Sequence, residues 1–404
     1  SNAATGAVGV VFSMMAVIQA VGFFFGHGSG NFISRELGRR NTDSASNMAA
    51  TGFFSALFTG LLICVFGEIF LTPLAAFLGS SPTILPYAKD YLRVILIGAP
   101  WMTASLVLNN QLRFQGNAIY GTIGIASGAV LNIGLDPLLI FVFDLGVAGA
   151  AWATIISQFA GFCLLLAGCT RGATLHIHIS RVQLKWSYFK LIIQGGLPSL
   201  ARQSLASVAT ICLNHAAGPY GDAAIAAMSV VQRITTFGAS AMIGFGQGFQ
   251  PVCGFNFGAK RYDRVLEAFW FCVKVAVVFL VTLSVVSFVG APQIMRIFRK
   301  EDLDVIEIGT WALRFQCVTL PLSAWTVMSN MMTQTIGYGF RASLVAAGRQ
   351  GLFLIPALFV LPVKFGIRGL QLCQPVADAL TFVLGVVIVL GILRELKEKQ
   401  EQVE

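Results

Sequence analysis

The chain has 404 residues, 56% of them hydrophobic and only 11% charged, with a mean hydropathy of +0.77. A water-soluble domain carries about 25% charged residues, so this chain could not cover its own surface in water. Its net charge of +9 sits in short loops between apolar runs, with no basic face or basic tail, which argues against a nucleic-acid partner.

Taken in chain order, the apolar runs predict eleven helices, at about 7–33, 47–77, 87–113, 118–143, 147–169, 190–216, 223–252, 265–290, 305–336, 341–363 and 366–393. Several exceed 20 residues, enough to cross a hydrocarbon core of about 30 Å. The fold class is therefore an all-α polytopic membrane protein. The first run carries GHGSG at 26–30, a glycine spacing reminiscent of a phosphate loop. No strand precedes it and no Lys follows, so close helix packing explains it better, and His27 is expected to hydrogen-bond between helices. Glu68 belongs near a membrane interface. His176 and His178 fall in a solvated linker. Eight cysteines are scattered singly, with no CxxC pattern, and read as small apolar residues.

Counting Lys and Arg over alternate loops gives 15 on one side, from Arg35, Arg39 and Arg40 through Arg171 to Lys399, against 7 on the other. The richer side is cytoplasmic by the positive-inside rule, which places the C-terminus inside.

An internal repeat organises the chain. ATGAVGVVF at 4–12 aligns with AIAAMSVVQ at 224–232, an offset of 220, and Gly26, Gly28 and Gly38 then meet Gly246, Gly248 and Gly258. Arg93, Pro100, Asn109 and Gly116 meet Arg314, Pro321, Asn330 and Gly337 at 221. Pro137 meets Pro356, and GVAG at 146–149 meets GIRG at 366–369. The run at 190–216 precedes the second copy, so the repeat places its counterpart upstream of residue 1. Restoring that helix gives two six-helix repeats in parallel orientation, because an even number of crossings separates them. The expected division is a first lobe at 1–170 (helices 2–6), a cytoplasmic linker at 171–189, a second lobe at 190–393 (helices 7–12) and a cytoplasmic tail at 394–404.

Several segments carry a resemblance. LNIGLDPLLIF at 131–141, followed by DLGVAGAAWATIISQ, is similar to helices five and six of the MATE (multidrug and toxin extrusion) family. ISRELGRRN at 33–41 and QGFQPVCGFNFGAKRYDRV at 247–265 resemble the loops after helices two and eight, and GLPSLARQSLAS at 196–207 is similar to the MepA-like branch. The resemblance implies a twelve-helix, V-shaped pair of lobes in the bacterial cytoplasmic membrane. It also implies antiport by alternating access: organic cations leave in exchange for H⁺ or Na⁺, with no cofactor, no nucleic acid and a monomeric transporter.

The residues themselves single out Asp136, about seven residues or roughly 10 Å from its helix end. A carboxylate inside a bilayer costs several kcal/mol unless it is paired, protonated or holding an ion. Asn132 lies four residues earlier on the same helical face, and Thr154 lies at matching depth on the next helix. A carboxylate, an amide oxygen and a hydroxyl suit a small hard cation or a proton. The bland alternative is that Asn132 and Asp136 bond neighbouring helices while Pro137 kinks their own. In the MATE family the matching three positions form a cation site, completed by a carboxylate on helix one.

The second lobe differs, because Ile355 stands at the repeat position of Asp136. Its segment PSLARQSLAS has no carboxylate on helix seven, where sodium-coupled family members place one. Instead Arg202 and Gln203 lie near mid-membrane, and Asp378, with Gln374 one turn away, is the prospective partner of Arg202. Arg233 and Arg349 compete for that carboxylate. Either a structural ion pair or a gating or substrate role fits. Gln111 and Trp101 are candidate cavity-lining residues. Arg202, Arg233, Lys274, Arg314 and Arg349 within helices keep a flippase for lipid-linked precursors as the alternative. No clustered ligands and no nucleophile with its base support an enzyme.

Overall fold

The computed structural model describes residues 2–171 and 175–404, and every regular element among them is helical. The first five long helices are α1 (Asn2–Gly38), α2 (Thr42–Ile69), α4 (Leu85–Phe114), α5 (Ala118–Pro137) and α6 (Val147–Arg171), with a short α3 (Leu71–Phe77) after α2. Then come α7 (Trp186–Ala217), α8 (Asp222–Gly258), α9 (Tyr262–Val289), a short α10 (Ala291–Phe298), α11 (Leu303–Thr319), α12 (Leu322–Thr335), α13 (Gly339–Ala347), α14 (Leu354–Phe365) and α15 (Ile367–Val403).

All eleven expected helices are present, and their differences have local causes. The run at 305–336 divides into α11 and α12 at Leu320–Pro321, where the proline has no N–H to continue the ladder. The run at 341–363 is interrupted by a π-turn at Gly348–Leu352. The expected tail at 394–404 instead prolongs α15, with Leu396 buried. Eight helical stretches among the described residues are long and apolar enough to cross a membrane. Splitting at Pro321 makes α11 and α12 individually too short for that test, and α7 and α8 are diluted by residues such as Arg202, Gln203, Gln232 and Gln250.

The repeat is written in the backbone as well as in the sequence. Arg40 and Lys260, 220 residues apart, both take left-handed φ values, 63° and 59°, in the loops after α1 and α8. Gly116 and Gly337 turn at φ 90° and 104°, and Gly146 and Gly366 at 63° and 65°. Most residues with a Cβ avoid this region, so three matched pairs report one folding pattern used twice. The short helices α3 and α10 also start 220 residues apart.

The chain divides into two compact units, Ser1–Leu200 and Ala201–Glu404. The boundary falls inside α7 rather than at the expected linker 171–189, of which residues 172–174 and the Arg171 side chain lie outside the described residues. The first half of α7 joins the first unit because it packs on α1. His27 Nδ1 lies 2.6 Å from Ser199 Oγ, and Asn31 Nδ2 donates to the Gly195 carbonyl at 3.3 Å. In the first unit Ile18, Leu92, Leu96 and Ile155 form part of a buried core. In the second unit one core forms around Met228, Leu313 and Leu370 and another around Phe269, Met328 and Val389. Large apolar side chains such as Phe77 and Val278 remain on the outside, as a lipid-facing surface requires.

In the first unit α5 and α6 meet backbone to backbone. A Cβ on Gly161 would lie 2.9 Å from the Gly124 carbonyl oxygen, and one on Gly128 would lie 3.0 Å from that of Ser157. Gly161→Val is expected to force the two helices apart at a cost of about 1–3 kcal/mol, read as a lower melting temperature in detergent. An unchanged melting temperature would show that this crossing carries no strain.

Candidate functional site

The α5–α6 crossing sets the depth of the candidate ion site. On α5, Asn132 and Asp136 stand one turn apart, so their side chains share a face. Both are half-buried. In each, the Oδ1 atom is enclosed by protein yet has no hydrogen-bond partner. Pro137 follows directly and leaves the Ile133 carbonyl without its usual i+4 donor, a further oxygen on the same stretch. A π-turn at Leu138–Val142 closes the helix.

Thr154 stands on α6 and its hydroxyl donates to the Ala150 carbonyl at 3.0 Å. Tyr91 on α4 faces Thr154, hydroxyl towards hydroxyl, and lies within electrostatic reach of Asp136. Tyr91 thus contacts Thr154 from a third helix and feels the charge of Asp136. It was missed in the sequence, although counting depth would have found it: it lies six residues into α4, about 9 Å from the helix start, matching Asp136. Trp101, expected on a cavity wall, donates its indole N–H to the Ile155 carbonyl at 3.1 Å. It fastens α4 to α6 one residue from Thr154.

Gln111 corrects the sequence expectation outright. It is fully buried, and its amide donates to Ser29 Oγ at 3.0 Å and the Ala49 carbonyl at 3.1 Å, tying together α4, α1 and α2. It lines the interior of the first unit and not a cavity.

In the second unit Asp378 is paired, but not with Arg202. Its Oδ1 accepts from Arg349 Nε at 3.0 Å and Gln374 Nε2 at 2.9 Å, and its Oδ2 accepts from Gln316 Nε2 at 2.6 Å. Arg202 points elsewhere. It donates to Gln334 Oε1 at 3.3 Å and, with the Asn330 amide turned to satisfy both its atoms, to Asn330 Oδ1 at 2.9 Å. Gln203 beside it is half-buried. The π-turn at Gly348–Leu352 carries Arg349 towards α15, a local distortion that hydrophobic periodicity does not announce. Gln316 and Gln374 also face a cavity lined by Leu213, Gln232, Thr235 and Leu370, with room for about two water molecules.

The two intramembrane carboxylates therefore have opposite chemistry. Asp378 has a complete set of three donors and needs nothing more. Asp136 has an enclosed oxygen with no partner, one turn from an amide oxygen in the same condition and within electrostatic reach of Tyr91. Oxygen donors of this kind match a proton or a small hard cation.

An all-helical, doubly repeated membrane protein with a carboxylate of this kind belongs to the class of transporters, not enzymes. The MatE family model matches residues 1–138 and 198–361, and the chain belongs to that family. It is similar to the multidrug export protein MepA of Staphylococcus haemolyticus, 29% identical over 391 residues, covering 96% of this chain and 86% of the relative. MepA of Staphylococcus aureus strain MSSA476 is 27% identical, with 95% and 84% covered. Among solved structures, a MATE transporter in its bent conformation superimposes with a TM-score of 0.93 at 25% identity, covering 99% of this chain and 90% of that one. An outward-facing multidrug resistance MATE transporter of the MOP superfamily gives 0.90 at 25% identity, with 98% and 90% covered.

Proposed function

We propose that the protein exports organic cations across the bacterial cytoplasmic membrane in exchange for H⁺ or Na⁺, with its C-terminus on the cytoplasmic side. Asp136 carries the coupling ion, Asn132 and Thr154 supply further oxygens, and Tyr91 links Thr154 to the carboxylate. The observation that carries this reading is the pair of enclosed, unpartnered oxygens on Asn132 and Asp136. The export names of the relatives support the direction and the substrate breadth. The flippase alternative needs arginines that converge on one chamber, whereas Arg349 is engaged by Asp378 and Arg202 by Gln334 and Asn330.

Everted membrane vesicles with an imposed pH or Na⁺ gradient test the reading. A cationic dye is expected to accumulate only when one of the two gradients is applied, and that gradient names the ion. Accumulation without either gradient would contradict antiport. Tyr91→Phe, which keeps the ring and removes only the hydroxyl, is expected to slow dye transport about fivefold, the scale of one hydrogen bond. Unchanged transport would remove Tyr91 from the site.

A further inference from the structure

We propose that the second unit holds a binding site for the phosphate headgroup of an anionic phospholipid, built on Trp311 by Arg314 and Arg368. Both guanidinium carbons lie over the Trp311 ring, at 5.4 and 5.1 Å from its centroid. Arg314 is also stacked near Phe288 and donates its Nε–H to the Phe288 carbonyl at 3.1 Å. Arg368 reaches Phe315 and gives one Nη1 bond to Gln371 at 3.4 Å. Among the described residues the remaining N–H groups of both side chains have no protein acceptor. Neither arginine forms an ion pair among the described residues, although Glu307 stands one turn before Trp311. Held on one ring, two uncompensated positive charges are presented together.

The internal repeat shows that this arrangement is particular to the second unit. Arg93 matches Arg314, and Glu68 matches Phe288. In the first unit Glu68 lies within electrostatic reach of Arg93, so the arginine there has a carboxylate of its own chain nearby. The second unit replaces that carboxylate by an aromatic ring and adds Arg368 where the first has Ala148. The missing negative charge is therefore external.

The surroundings identify its source. Trp311 is 39% exposed, Phe288 43%, Val318 69% and Val289 72%, exposed apolar side chains of α9 and α11, the helices that meet at Arg314. Free phosphate would use the arginines alone, whereas a phospholipid uses both features: N–H donors for its phosphate and an apolar wall for its chains. Aromatic rings that shield a guanidinium at a membrane interface fit the same occupant.

The test is native mass spectrometry of the purified transporter titrated with phosphatidylglycerol, with phosphatidylcholine, and with inorganic phosphate. The wild-type protein is expected to retain phosphatidylglycerol preferentially. Arg314→Gln with Arg368→Gln is expected to weaken that retention at least about tenfold, and Arg368→Gln alone, at an exposed side chain with one weak bond, to weaken it in part. Arg296→Gln with Arg299→Gln, on α10 and at its C-terminal end, serves as the charge control and is expected to leave retention unchanged. Equal retention by the double variant, an equal loss in the control, or equal binding of inorganic phosphate and phosphatidylglycerol would each overturn the proposal.

Discussion

Asp136→Asn is expected to reduce the drug or dye resistance of cells expressing the protein to that of cells lacking it. The substitution keeps the shape of the side chain and removes its ability to take up a proton or balance a cation. Little structure is lost with the charge: among the described residues Asp136 forms no ion pair, and its Oδ1 has no bond to give up. The protein should therefore reach the membrane at the wild-type amount, and a blot of the membrane fraction checks this. Full resistance in the variant would remove Asp136 from the transport cycle. Full loss of the protein from the membrane would instead assign the residue to folding.

Asp378→Ala is expected to behave in the opposite way and to remove folded protein. It leaves Arg349 Nε and the Gln316 amide without their acceptor, and the Gln374 amide with only the Arg349 carbonyl. Stripping one partner from a buried ion pair costs about 3–5 kcal/mol. The Asp378 side chain is 3% exposed but that of Arg349 is 22%, so the lower end of that range applies. About 3 kcal/mol is a large part of the 5–15 kcal/mol that separates most folded domains from unfolded ones. The readout is the yield of monodisperse protein in detergent. Asp378→Met combined with Arg349→Met should recover much of it, because the charge and the unpaired guanidinium disappear together. A single variant with wild-type yield, or a double variant worse than the single, would contradict the assignment of this pair to structure.

Those two carboxylates also mark the limit of what the sequence tells. Both were legible as costly charges inside apolar helices. Which one is finished and which one is open was not, because two of the three donors to Asp378 come from α11 and from a π-turn before α14, positions 62 and 29 residues away. Sequence distance says nothing about that meeting, so the sequence pairs Asp378 with Arg202, with Arg349 and Arg233 only as competitors. Helix placement was easier, since each apolar run is long and the repeat corrects one copy against the other. The break at Leu320–Pro321 follows from the proline itself, whereas the division of α7 at Leu200 depends on packing, as does the burial of Gln111 between three helices. Tyr91 was hidden for another reason: a tyrosine in a membrane helix is ordinary until a threonine and an aspartate from other helices meet it.

The most direct test of the account is the count of ions released when substrate binds. Calorimetric titration of the purified protein with a cationic dye, in two buffers of different ionisation enthalpy and with and without Na⁺, gives that count. Competition at a single carboxylate predicts release of about one H⁺ or Na⁺ per dye bound, and none from the Asp136→Asn variant. Equal release from both proteins, or none from the wild type, would contradict it.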